Sequence, residues 1–266
     1  MEQRFYTGFE PQILTIGVAT EKQQQIRVVI SDPSQKNTVF TNRYNLVNGN
    51  QYFYVRMPLA PKVALVSVYD EAKGPGSNDE FSMIGIGNGV SKRTLERKMA
   101  VVDIGDPYVK SFVDLAQRFS YNAGWLTPGN YKSDDGKINI SYQETLKGEN
   151  DQEASTPARI GEVDGIIEVS AKMFRKFTVP MRMAILCHEF AHYYRNSNAY
   201  NEVEADLQGL LIYLGLGFPR VEAQEAFVET FTNTPTGEPT ELNARRMRIL
   251  KRFINDFETH KFLVYD

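Results

Sequence analysis

The chain is poor in the residues that staple small proteins or anchor them in membranes. Among its 266 residues there is one cysteine, Cys187, which excludes an internal disulfide framework and a zinc site made of cysteine alone. No apolar run reaches the roughly 18 residues that a membrane helix needs, so a spanning protein is not expected. Neither sign of charge dominates. Thirty basic against 33 acidic residues leave a net charge of -3, and nothing points to nucleic acid as the main partner. The opening Met1-Glu-Gln-Arg-Phe-Tyr6 has no basic stretch leading into an apolar one, so no secretory signal is read there. With the lone cysteine, a reducing, cytoplasmic setting is the expectation. Histidine is scarce as well: there are three, and two of them stand four residues apart. The rest is ordinary. Hydrophobic residues at 42% and charged residues at 24% fit a folded chain and not a disordered one, and the length suits one large domain or two modest ones.

The first hundred residues read as β. Ile13–Ala19, Ile26–Ile30, Gln51–Met57, Val63–Tyr69 and Phe81–Ile86 alternate or run apolar between turn signals, which suggests a small all-β, sandwich-like module over residues 1–100. Gly85-Ile-Gly-Asn-Gly89 reads as a tight bend; it lacks the spacing of a nucleotide-binding loop. Near residue 100 the period changes. Asp106-Pro107 opens a helix, and Val109, Phe112, Val113, Leu115, Ala116 and Phe119 recur at helical spacing. Strands are expected at Lys137–Tyr142 and Gly165–Ser170, with a polar loop over 147–159 between them. Helices are expected from Pro180 to about Arg195, from about Asn201 to Leu214, and from about Thr240 to Glu258. The fold class is therefore α+β, with a second domain over residues 101–266.

The helix expected from Pro180 to about Arg195 carries His188-Glu189-Phe190-Ala191-His192. Residues i and i+4 share a helical face, so both imidazoles can reach one metal ion, and Glu189 can serve as general base. A third protein ligand is expected. A histidine six residues after His192 would complete one known pattern, but Asn198 stands there. The next candidate is Asn201-Glu202-Val203-Glu204-Ala205-Asp206. Glu202 and Asp206 lie on one helix face. Glu202 is the expected ligand, with Glu204 or no third protein ligand as alternatives. Asp206 would accept the N–H of a ligating imidazole, and Glu204 should point away.

From Pro180 to Asp206 the chain resembles a zincin metallopeptidase of the gluzincin type, in which a His-Glu-x-x-His helix is followed by a helix carrying Glu-x-x-Ala-Asp or a close variant; here it reads Glu202-Val-Glu-Ala-Asp206. The resemblance implies a compact zincin-like domain, one zinc ion held by His188, His192 and Glu202, Glu189 as general base, and Asp206 behind a ligating histidine. It also implies an edge strand that lines the cleft and pairs with an extended peptide, for which Gly165–Ser170 is the matching segment. The gap between His192 and Glu202 is shorter than in thermolysin-like enzymes, and the N-terminal hundred residues lie outside the match.

The function so implied is hydrolysis of peptide bonds by a zinc-bound water that Glu189 activates. A further donor should stabilise the oxyanion. Tyr193, Tyr194, Tyr200, Arg246, Arg248 and His260 are candidates that spacing does not separate. Tyr193 and Tyr194 also suit packing, Arg245–Arg248 suits a solvated helix face, and His260 suits a surface position. Cys187 reads as a buried thiol turned from the metal side. A non-peptidase zinc hydrolase is a further alternative. So is a structural or assembly protein that keeps the zinc site, its β module docking it into a larger particle such as a phage or virus.

Overall fold

A computed structural model describes residues 1–76, 80–148, 151–198, 200–231 and 240–258. The architecture is mixed α+β with a strand-rich N-terminal region, and no helix among the described residues is long and apolar enough to cross a membrane. The chain divides into two compact units, Met1–Arg97 with Gly217–Pro219, and Lys98–Leu216 with Arg220–Asp266.

The first unit is one sheet of six strands: β1 (Glu2–Tyr6), β2 (Gln12–Ser31), β3 (Val39–Met57), β4 (Val63–Asp70), β5 (Phe81–Met83) and β6 (Val90–Thr94). The two strands expected at 13–19 and 26–30 are one. Between Thr20 and Gln24 the register of β2 on β3 shifts, so the polar Glu21-Lys22-Gln23 is absorbed as a bulge and the strand resumes beyond it. On its other side β2 pairs first with β6 and β5, then with β4. Leu14, Ile16, Val18, Ile26, Val28 and Ile30 of β2 are all buried, the period-2 pattern of one covered face. The bend at Gly85–Gly89 holds Gly85, Gly87, Asn88 and Gly89 at positive φ, a run that glycine tolerates and most residues do not.

The second unit opens with α1 (Pro107–Asn122). Asp106 caps it by accepting the N–H groups of Tyr108 and Val109, and the apolar positions expected from its period are buried. Then come β7 (Gly129–Lys132), β8 (Asn139–Gln143), β9 (Ala158–Ile160), β10 (Ile167–Ser170) and the short α2 (Ala171–Phe174). The four strands form a sheet in the order β7-β8-β10-β9. This corrects the edge assignment. Gly165–Ser170 supplies β10, an inner strand parallel to β8 and antiparallel to β9. The strand at the edge beside it is β9, formed by the end of the segment expected to be a polar loop.

Among the described residues four helices follow: α3 (Val179–Tyr194), α4 (Glu202–Gly215), α5 (Arg220–Phe231) and α6 (Glu241–Glu258). Thr178 caps α3 by accepting the Met181 N–H. Within the core Phe190 of α3 stacks on Phe112 of α1 with ring centroids 4.0 Å apart; burying such a ring contributes about 2–3 kcal/mol. Helix α5 has no counterpart in the sequence reading. Among its described residues Glu222, Ala223, Ala226 and Phe227 are buried; a glutamate and two alanines do not mark an apolar stripe.

Candidate metal centre

Helix α3 presents His188 and His192 one turn apart, with the two Nε2 atoms 3.0 Å from each other. Helix α4 begins at Glu202, immediately after Asn201, whose side chain accepts the Glu204 N–H and fixes the start. That start sets Glu202 across from the histidines, 3.6 Å from His188 Nε2 through Oε2 and 3.6 Å from His192 Nε2 through Oε1. These three side chains could hold a metal ion. The spacing fits one. Ligands at about 2.05 Å in a tetrahedron lie about 3.3–3.4 Å apart, and the observed 3.0 and 3.6 Å fall on either side of that. Two imidazoles and a carboxylate are also a donor set that zinc takes in catalytic sites.

The close approach of the two helices depends on Gly209. A Cβ at that position would lie 2.9 Å from the backbone C and O of Cys187 and from His188 N. Only a residue without a side chain lets α4 rest on the backbone of α3 at the first histidine. Cys187 is fully buried beneath this contact, and burial pushes its thiol above the usual range.

Asp206, one turn beyond Glu202, is buried, and its Oδ1 is 3.0 Å from His188 Nδ1, although the pair is not aligned as a hydrogen bond. A proton on Nδ1 is favoured beside that carboxylate, leaving the Nε2 lone pair for a metal. Glu204 points elsewhere, as its place on the helix requires. Its carboxylate accepts from Ser197 N–H and Oγ and from Asn201 Nδ2, tying the turn between the two helices. Interaction with the His192 imidazole and the charges of His188 and Arg246 hold the Glu202 carboxyl down at about 2, against the opposing effect of burial.

Glu189 lines the same cavity of about 350 Å³ as His188, His192 and Glu202. Burial raises its carboxyl above the ordinary range, while both histidines and a hydrogen bond from the Ile160 backbone N–H act the other way. The Ile160 N–H is available because Gly161 N–H donates inward to Ile166 O. Alternate residues of β9 therefore turn their backbone groups outward, along the free edge. Thr156, Pro157, Ala158 and Arg159 form one wall of the cavity; Ile185, Ala226 and Phe227 give it apolar surface, and Asn243 and Arg246 reach it from α6. A smaller space of about 220 Å³, lined by Ile160, Glu162, Tyr193 and Tyr200 among others, adjoins the same Glu189, His192 and Glu202.

The six donor candidates separate here. Tyr193 and Tyr200 line the smaller space, where the Tyr200 hydroxyl donates to Glu162. Tyr194 is a packing residue, stacked on Phe190 at 4.8 Å and beside Tyr108. Arg248 is exposed, as expected for a solvated face, and is not among the residues lining either space. Arg246 breaks that expectation: it is buried, and its guanidinium grips Asp206 through Nε (2.8 Å) and Nη2 (3.0 Å) and Glu202 through Nη2 (2.8 Å). His260 lies outside the described residues. The wall of Thr156–Arg159 comes from the loop 147–159, which the sequence allowed to lie near the cleft, whereas sequence reasoning did not find Asn243 or Phe227, neither of which carries a local motif. In comparisons with known proteins the chain matches no family model, no curated protein and no solved structure.

Proposed function

We propose that the chain is a zinc-dependent peptidase whose ion is held by His188, His192 and Glu202 and whose general base is Glu189. The observation that carries this reading is the place of Glu189. Glu189 lines the cavity of the three candidate ligands, and a purely structural zinc site has no need of a base there. Zinc bound by such a set acts as a Lewis acid on a substrate carbonyl and lowers the pKa of water from 15.7 to about 7. Glu189 is suited to take a proton and return it to the leaving amine, because burial keeps its carboxyl readier to hold a proton than an exposed glutamate would be. The Ile160 N–H acts on that carboxylate from β9 and favours its charged form. Beside it, the free edge of β9 offers backbone groups to which an extended peptide can add as a further strand.

The test is Glu189→Gln, assayed with zinc content measured in parallel. Wild-type protein should cleave members of a mixed peptide library, with products identified by mass spectrometry. The variant should retain its zinc and lose activity by about 10²–10⁴-fold. Equal cleavage by both would remove Glu189 from the chemistry. A zinc-loaded wild type that cleaves nothing in the library would favour the second reading, a docking or assembly role. One observation supports that reading: β3 is an edge strand whose outward face exposes Tyr44, Leu46, Tyr52 and Tyr54, the sort of apolar surface that marks a contact site.

A further inference from the structure

Helix α6 buries Arg246, Leu250, Ile254 and Phe257 along one stripe, and its first member is charged. A buried guanidinium is costly unless carboxylates meet it. Here two do, and both come from the face of α4 that looks toward the histidines. Nε and Nη2 form a two-point pair with Asp206, and Nη2 also reaches Glu202 Oε2 at 2.8 Å. Glu202 and Asp206 are one helical turn apart, so their charges repel; a cation between them holds both on the same face. The oxygens are shared out by this contact. Asp206 Oδ1 lies 3.0 Å from both Arg246 Nη2 and His188 Nδ1, while Glu202 Oε2 lies between Arg246 Nη2 at 2.8 Å and His188 Nε2 at 3.6 Å, and Oε1 lies 3.6 Å from His192 Nε2.

We propose that Arg246 is a positioning residue of the metal centre. It holds the Glu202 carboxylate on the side of the two histidines, where it would meet an ion, and holds Asp206 against His188, and it is not the oxyanion donor that its sequence context also allowed. The inference rests on the reading that His188, His192 and Glu202 bind a metal. Partners that orient ligands in this way set metal affinity, and removing one costs about 10–100-fold.

The zinc dissociation constant of the full chain is measured by competition with a chromophoric chelator for wild type, Arg246→Gln and Arg246→Lys, with circular dichroism to confirm folding. The expected result is a loss of about 10–100-fold in R246Q and a smaller loss in R246K, which keeps the charge but cannot bridge two carboxylates as a fork. Cobalt substitution gives a second readout: the visible spectrum of R246K should differ from wild type, since the Glu202 oxygens are no longer shared out in the same way. An arginine needed only for packing would lower thermal stability and leave the affinity and cobalt spectrum of the folded protein unchanged, and that result in R246K alone overturns the proposal even if R246Q fails to fold. A wild type that binds no zinc overturns the metal reading itself, an outcome distinct from equal affinities in wild type and variants.

Discussion

Cys187 sits beside the first histidine in sequence and lies out of reach of solvent in the fold. It is fully buried under the α3–α4 contact, and burial disfavours its thiolate. Its proximity to the histidine is therefore sequential and not chemical. The native protein should resist alkylation by iodoacetamide or a maleimide, with metal and after chelation alike, and should react once unfolded in denaturant. Mass spectrometry after a short pulse of reagent reads this directly, and rapid native labelling would place the thiol at the surface. At this scale much of the site was legible in the sequence. His188 with His192 on α3, and Glu202 with Asp206 on α4, are each related by helical spacing, and helical spacing is local. Arg246 was legible as one of several candidate donors on a helix face expected to be solvated, not as a buried residue. Its sign of burial was present in the i, i+4, i+8 series with Leu250 and Ile254, but a charge at the head of an apolar stripe becomes meaningful only when two carboxylates from another helix stand opposite.

Between elements, the decisive contact is backbone on backbone. Gly209 lets α4 approach α3 at Cys187 and His188, where a Cβ would find three backbone atoms at 2.9 Å. Backbone cannot swing aside as a flexible side chain can, so Gly209→Ala must separate the helices or tilt one of them. Helix propensity alone would make this substitution favourable by about 1 kcal/mol; overpacking of this kind typically costs about 1–3 kcal/mol. The expected outcome is a lower melting temperature and, in the protein that remains folded, weaker zinc binding, because Glu202 and Asp206 travel with α4. A variant with unchanged or higher melting temperature and full zinc affinity would show that the helices have room to spare. The elements themselves were unevenly legible. Helix α1 announced itself through a capping Asp106 and six periodic apolar residues. Strand β9 did not, since three residues at the end of a polar stretch become a strand only by pairing with β10. The edge facing the cavity was consequently assigned to the wrong segment. A strand's place in a sheet is a property of its neighbours, and no pattern within Gly165–Ser170 could reveal a further strand beside it.

At the scale of the whole chain, metal binding should act on one unit. Among the described residues His188, His192 and Glu202 are the single group that could hold an ion, and all three lie in the unit of Lys98–Leu216 with Arg220–Asp266. A ligand that binds only the folded state stabilises it by RT ln(1 + [L]/Kd), about 2.7 kcal/mol when its free concentration is a hundredfold above Kd. For a unit of this size that corresponds to about 5–11 °C in melting temperature. The stabilisation originates in a tie between α3 and α4, so it should appear first in the amides of those helices. Hydrogen exchange followed by mass spectrometry, with zinc and with chelator, is the measurement. Increased protection should centre on peptides covering 179–194 and 202–215, while those from β2 and β3 exchange at the same rate in both conditions. Protection concentrated in the strands of the first unit would place the metal elsewhere and remove the His188–His192–Glu202 assignment.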